Sequence, residues 1–159
     1  ELVSEKIERY SKEFGIDKGV AKEIIREGYS LENYVKKYKN IEPKFIAHTL
    51  IETPKEIKKR YEKEIEIEAY CDEIFEKLNS DEINKEAVLE ILVEFSQGKK
   101  VDYSKYKKMD DSTLEKDIQK IINENKGLPI NAMIGKVMEK LRGKADGKKI
   151  VEIVKRLCE

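Results

Sequence analysis

Apolar residues recur along this chain at the three-and-four spacing of amphipathic helices, most clearly over residues 127–157, GLPINAMIGKVMEKLRGKADGKKIVEIVKRL. Ile134, Val137, Met138 and Leu141 fall at i, i+3, i+4 and i+7, and Ile150, Ile153, Val154 and Leu157 repeat that interval after Asp146. One apolar stripe per segment predicts two helices, each burying a single face. Gly143 suits the left-handed position that closes the first helix, and Asp146 can cap the second.

The same pattern extends upstream. Residues 2–14 place Val3, Ile7, Tyr10 and Phe14 on one face, and Gly15 stops the helix. Asp17 caps a second helix to residue 27, ended by Gly28, and Ser30 caps a third to about residue 38, with Glu32 and Lys36 as an i,i+4 pair. Pro43 opens a short helix to residue 51, and Thr53-Pro54 is read as the cap and first position of the next. The alternation EIEIE at 64–68 is too short to outweigh its helical flanks. Ile57, Tyr61 and Ile65 lie on one helical phase, whereas Ile67, Cys71, Ile74, Phe75 and Leu78 lie on another, which predicts a break near 64–66. Asn84 caps a helix to residue 97. The stretch 99–110, with Tyr103, Tyr106 and five lysines, reads as a linker. Ser112 with Glu115 makes a capping box for a helix bearing Leu114, Ile118, Ile121 and Ile122. The expected fold is all-α: a small orthogonal helical bundle over 1–105, followed by a three-helix module over 106–159.

Composition narrows the classes of function. Charged residues make up 42% of the chain, and no apolar run approaches the roughly 20 residues a membrane-spanning helix needs. The opening ELVSEKIERY reads as helix rather than leader, and its start in mid-pattern without methionine suggests a piece of a longer protein. Cys71 and Cys158 have no metal or disulfide spacing, Cys71 falls on an apolar phase, and a cytoplasmic setting is the default. The formal net charge of zero hides an uneven distribution: +3 over 1–61, −9 over 62–95, +1 over 96–104 and +5 over 105–159. Only the two ends could face a polyanion.

Few residues offer chemistry. His48 is the only histidine and is read as a packing or capping residue; the eight glycines are dispersed rather than gathered in a phosphate loop; the carboxylates of 62–76 read as a solvated face. No catalytic or metal-binding residue is expected. The exception is the basic turn, where Lys136, Lys140, Arg142, Lys144, Lys148 and Lys149 gather around Gly143. A glycine that admits close approach, next to a helix N-terminus, could receive phosphate. The same lysines could equally keep a small bundle soluble, and spacing alone leaves both readings open. Tyr103 and Tyr106 are candidates for stacking on unpaired bases.

The run GKVMEKLRGKADGKKIVEIVKRL resembles the YqeY-like module that closes subunits of the GatB/YqeY family of tRNA-dependent amidotransferases. ERYSKEFGIDKGVAKEIIREGYSLENYVKKY resembles the helical tail domain of those subunits, and PKFIAHTLIETPKEIKKR looks more like the archaeal E branch than the B branch. The resemblance covers nearly the whole chain, strongest over 127–157 and weakest over 61–105. It implies a non-catalytic tail that holds the body of tRNA(Gln), with the basic turn (Lys136, Lys140, Arg142, Gly143, Lys144, Lys148, Lys149) and Tyr103 and Tyr106 as contacts. In the family, the heteromer converts Glu-tRNA(Gln) to Gln-tRNA(Gln). ATP and Mg²⁺ act in a catalytic region upstream of the tail, and a D-type partner releases the ammonia; this part itself needs no cofactor. The other reading is a helical protein–protein interaction module with no RNA role.

Overall fold

Glycine and aspartate punctuation sets the helix ends. The computed structural model describes residues 1–159 as nine α-helices without a strand. They are α1 Val3–Phe14, α2 Lys18–Glu27, α3 Leu31–Lys37, α4 Pro43–Tyr61, α5 Cys71–Asn79, α6 Lys85–Ser96, α7 Asp111–Glu124, α8 Ile130–Leu141 and α9 Gly147–Leu157. Single 3-10 turns occupy Ile67–Ala69 and Tyr103–Tyr106. The all-α class is the one the stripes predict. No helix is long and apolar enough to cross a membrane.

The chain forms two compact units, one of Glu1–Ser80 with Ile91–Val101 and the other of Asp81–Glu90 with Asp102–Glu159. The second unit therefore includes residues 81–90, a stretch that the contiguous division at 105/106 assigns to the first.

In the first unit, α2 packs on α1 and α4, and α3 packs on α4. Asp17 caps α2 as expected, its Oδ1 accepting from the Gly19 N–H at 2.7 Å. The core is built on Tyr10, Ile24, Leu31, Tyr38, Leu50 and Phe75, all nearly inaccessible. The rings of Tyr34 and Tyr38 both meet Phe75 edge-on, joining α3 to α5. The Tyr34 hydroxyl lies 3.1 Å from the Cys71 sulfur, and the Tyr38 hydroxyl donates to the Asp72 carboxylate.

Two local expectations fail here for physical reasons. Thr53-Pro54 does not start a helix; Pro54 lies inside the continuous α4. Ile46, Leu50, Thr53 and Ile57 form one unbroken buried stripe, and that burial outweighs the roughly 3 kcal/mol an interior proline costs. Glu32 does not pair with Lys36, because Arg9 of α1 reaches it at 2.7 Å. The expected break is present: Glu62 closes α4 with φ 54°, and no α-helix resumes before Cys71.

The second unit has its own core, formed by Leu114, Ile118, Ile121 and Ile122 of α7, Met133, Val137 and Leu141 of α8, and Ile150, Ile153 and Val154 of α9. Most are positions the stripes select, but Met133 is buried where Ile134 and Met138 are only partly so, and Leu157 of the α9 stripe is also only partly buried. The cap of α7 is Asp110 rather than Ser112: its Oδ1 accepts from the Thr113 N–H at 2.8 Å. Aspartate reaches the first-turn amides and adds a charge favourable to the helix dipole, so the earlier acid prevails.

Candidate nucleic-acid interface

The turn between α8 and α9 is held by backbone bonds on both sides. The Lys144 N–H donates to the Leu141 carbonyl at 3.0 Å, and the Lys144 carbonyl accepts from the Met109 N–H at 2.9 Å. Arg142 ends α8, and Gly143 follows with φ 79°, in the left-handed region the sequence requires. Asp146 then caps α9, its Oδ1 accepting from the Lys148 N–H at 3.1 Å.

The structure gives Gly143 a different purpose from close approach to a ligand. The glycine is buried, and a Cβ added to it would lie 3.5 Å from the Cβ of Ala87 in the first turn of α6. The space beside it is filled by this chain. The N-terminus of α9 differs from expectation as well. The Asp146 carboxylate already accepts from one of its first-turn amides, that of Lys148, and its charge offsets the positive end of the helix.

The basic residues divide into two groups. Lys140 pairs with Glu124 at 3.7 Å, Arg142 with Glu90 at 3.8 Å, and Lys149 with Asp111. Lys136, Lys144 and Lys148 make no ion pair; Lys136 and Lys148 are exposed and Lys144 is half-buried. All three ion pairs are solvent-accessible, so each holds its cation only weakly and leaves it able to exchange partners. Tyr103 and Tyr106 lie in the 3-10 turn Tyr103–Tyr106 rather than in an irregular linker. Tyr106 is only 8% exposed, which leaves little of its ring for a base, while Tyr103 is half-buried. His48, read as a packing or capping residue, is exposed on α4.

Sequence reasoning passed over the anchoring of this turn. Lys108 donates its N–H to the Glu82 carbonyl at 2.9 Å, and its ammonium meets Asp81 at 2.9 Å. Residues 107–109 are thereby tied to 81–82 on one side and to Lys144 on the other. Nothing in local periodicity signals these bonds, because they join segments more than twenty residues apart.

Comparisons with known proteins bear on the same chain. A family model described as the GatB domain matches residues 30–158. The E-type subunit of the glutamyl-tRNA(Gln) amidotransferase of Methanocaldococcus jannaschii is 33% identical over 98% of this chain and 27% of its own length. Its counterparts in Saccharolobus solfataricus, 33% identical over 89% of the chain, and Thermococcus gammatolerans, 32% over 98%, agree with it. The chain spans about a quarter of the length of these relatives. No solved structure matches it. With a family model covering most of its residues and relatives aligned along nearly all of them, this chain belongs to the GatB domain (GatB/YqeY) family.

Proposed function

We propose that this chain is a non-catalytic, tRNA-holding part of a glutamyl-tRNA(Gln) amidotransferase, and that its second unit binds the body of tRNA(Gln) through the α8–α9 region. Activation of the glutamyl carboxylate with ATP and Mg²⁺ belongs on this reading to other parts of the enzyme, and ammonia release to a D-type partner. The relatives' names support the enzyme class. The observation that carries the binding role is the set of uncommitted cations Lys136, Lys144 and Lys148, in a unit where neighbouring Lys140, Arg142 and Lys149 already have carboxylate partners. Because the Asp146 carboxylate puts a negative charge at the α9 N-terminus, the contacts on this reading are lysine ammonium groups on phosphates rather than backbone amides.

Each such contact releases condensed counterions, so affinity falls as salt rises. The test is a titration of a tRNA(Gln) transcript with the full chain at several salt concentrations, comparing wild type with Lys136→Glu/Lys144→Glu/Lys148→Glu. The triple variant should keep its helical circular dichroism and bind more weakly. Its plot of log affinity against log salt should be shallower by up to about 0.9 for each duplex phosphate no longer engaged. Equal affinities and equal slopes would return these lysines to a solvated face and leave the protein-interaction reading in their place.

A further inference from the structure

The chain leaves α8 through a tight turn with an arginine at its corner. The Lys144 N–H bonds the Leu141 carbonyl at 3.0 Å, and between them stand Arg142 at φ −55°, ψ 131° and Gly143 at φ 79°. Those are the angles of a type II β-turn, in which only the second central residue calls for glycine. Arg142, the first, is the one arginine of the basic turn; its other five cations are lysines. The Arg142 side chain is 66% exposed, and its one partner is Glu90 of α6, 3.8 Å from Nε. Both residues belong to the second unit.

At that separation two charges attract without a hydrogen bond, which needs about 2.7–3.2 Å. No other group holds the guanidinium, so both of its terminal nitrogens are uncommitted. The neighbouring pairs differ. Lys149 is hydrogen-bonded to Asp111 and ties α9 to α7, whereas Lys140, 3.7 Å from Glu124, offers only a single ammonium. An exposed pair without a hydrogen bond is a weak hold, while a phosphate can take two parallel N–H bonds from one guanidinium. Carboxylate and phosphate therefore compete for the same arginine, and the phosphate has the better geometry. Other acids stand nearby: Glu86, one turn before Glu90 on α6, and Glu139 on α8, exposed and without an ion pair. Glu90 alone holds the arginine.

We infer that Arg142 is a further tRNA contact held in reserve: on binding it leaves Glu90 for a backbone phosphate, so that Glu90 sets the affinity of the α8–α9 region. The inference rests on the tRNA-binding reading and adds to it one contact and one competitor. It is tested in the full chain with the same tRNA(Gln) transcript, using Glu90→Gln, Arg142→Gln, the two combined, and Glu139→Gln. Circular dichroism and thermal melting check that each variant folds. Glu90→Gln should bind about two- to fivefold more tightly than wild type, the worth of an exposed ion pair. Arg142→Gln should bind more weakly, with a salt slope shallower by up to about 0.9. Glu139→Gln removes the same charge from an acid that holds no cation, and so reads the general repulsion between carboxylate and phosphate. In the Arg142→Gln background, Glu90→Gln should gain no more than that, because the carboxylate then has nothing to hold back. A Glu90→Gln gain that persists in full without Arg142, or that Glu139→Gln matches, is general repulsion and overturns the inference. So does Glu90→Gln binding no more tightly than wild type while the triple lysine variant loses affinity; the tRNA reading then stands. If the triple lysine variant and Arg142→Gln both bind as wild type does, both fall.

Discussion

Two glycines in one helix-turn-helix behave as opposites at the residue scale. Gly143 has a positive φ of 79° and a buried Cα, whereas Gly135 has neither constraint. At Gly143 an added methyl would make ordinary contact with Ala87, so space is not the obstacle; the left-handed backbone is. An L-residue held there costs roughly 1–2 kcal/mol. Gly143→Ala should therefore lower the unfolding free energy of the chain by about that amount in a urea titration, and an unchanged midpoint would mean that the turn relaxes to another conformation.

A second residue-scale prediction concerns Tyr38. It is 2% exposed, and its hydroxyl donates to Asp72, which also faces Lys37 at 3.5 Å. Burial first, and then the Asp72 carboxylate, hold its phenol well above the ordinary range; burial does the same for Tyr34, and Tyr10 is pushed up to about 12. A phenol whose folded pKa is raised contributes stability that is complete below its unfolded value of about 10 and is lost as pH rises towards the folded value, because the unfolded chain ionises first. The protein should thus lose stability steeply from about pH 10 upwards. Tyr38→Phe should cost about 1 kcal/mol at pH 7 through the missing hydrogen bond, yet make the alkaline decline shallower. Urea midpoints measured between pH 7 and 11 decide this, and parallel declines in the two proteins would remove Tyr38 as a contributor.

At the scale of elements, legibility followed the range of the forces involved. The α7, α8 and α9 stripes could be read because a buried helix face is written at fixed local spacing, and Ile118, Val137 and Ile150 are buried as that spacing requires. Asp17 and Asp146 were equally legible, since a cap reaches only two or three residues. Pro54 misled because its effect is local whereas the α4 stripe that overrides it runs over 19 residues. In the candidate site the cationic content could be read but its pairing could not. That Arg142 meets Glu90, or Lys149 Asp111, depends on which helices become neighbours.

At the scale of the whole molecule, residues 91–101 belong with the first unit, whereas residues 81–90 belong with 102–159. Their contribution to the second unit is specific: Ala87 against Gly143, Asp81 and Glu82 on Lys108, and Glu90 beside Arg142. A fragment of residues 106–159 keeps every member of the α7–α9 core and should fold. At that size a single core supplies at most roughly 3–5 kcal/mol, so it should melt low. A fragment of residues 81–159 restores the missing contacts. It also carries Ile91 and Leu92, which are fully buried in the chain and belong to the first unit, so Ile91→Lys and Leu92→Lys are included to keep it from associating. If the three sets of contacts together contribute about 1–2 kcal/mol, the longer fragment should melt about 5–15 °C higher than the shorter one. Calorimetry of the two fragments measures this directly. Equal melting temperatures would show that 81–90 merely rests against the three-helix core, and a 106–159 fragment without any cooperative transition would show that the core cannot form without it.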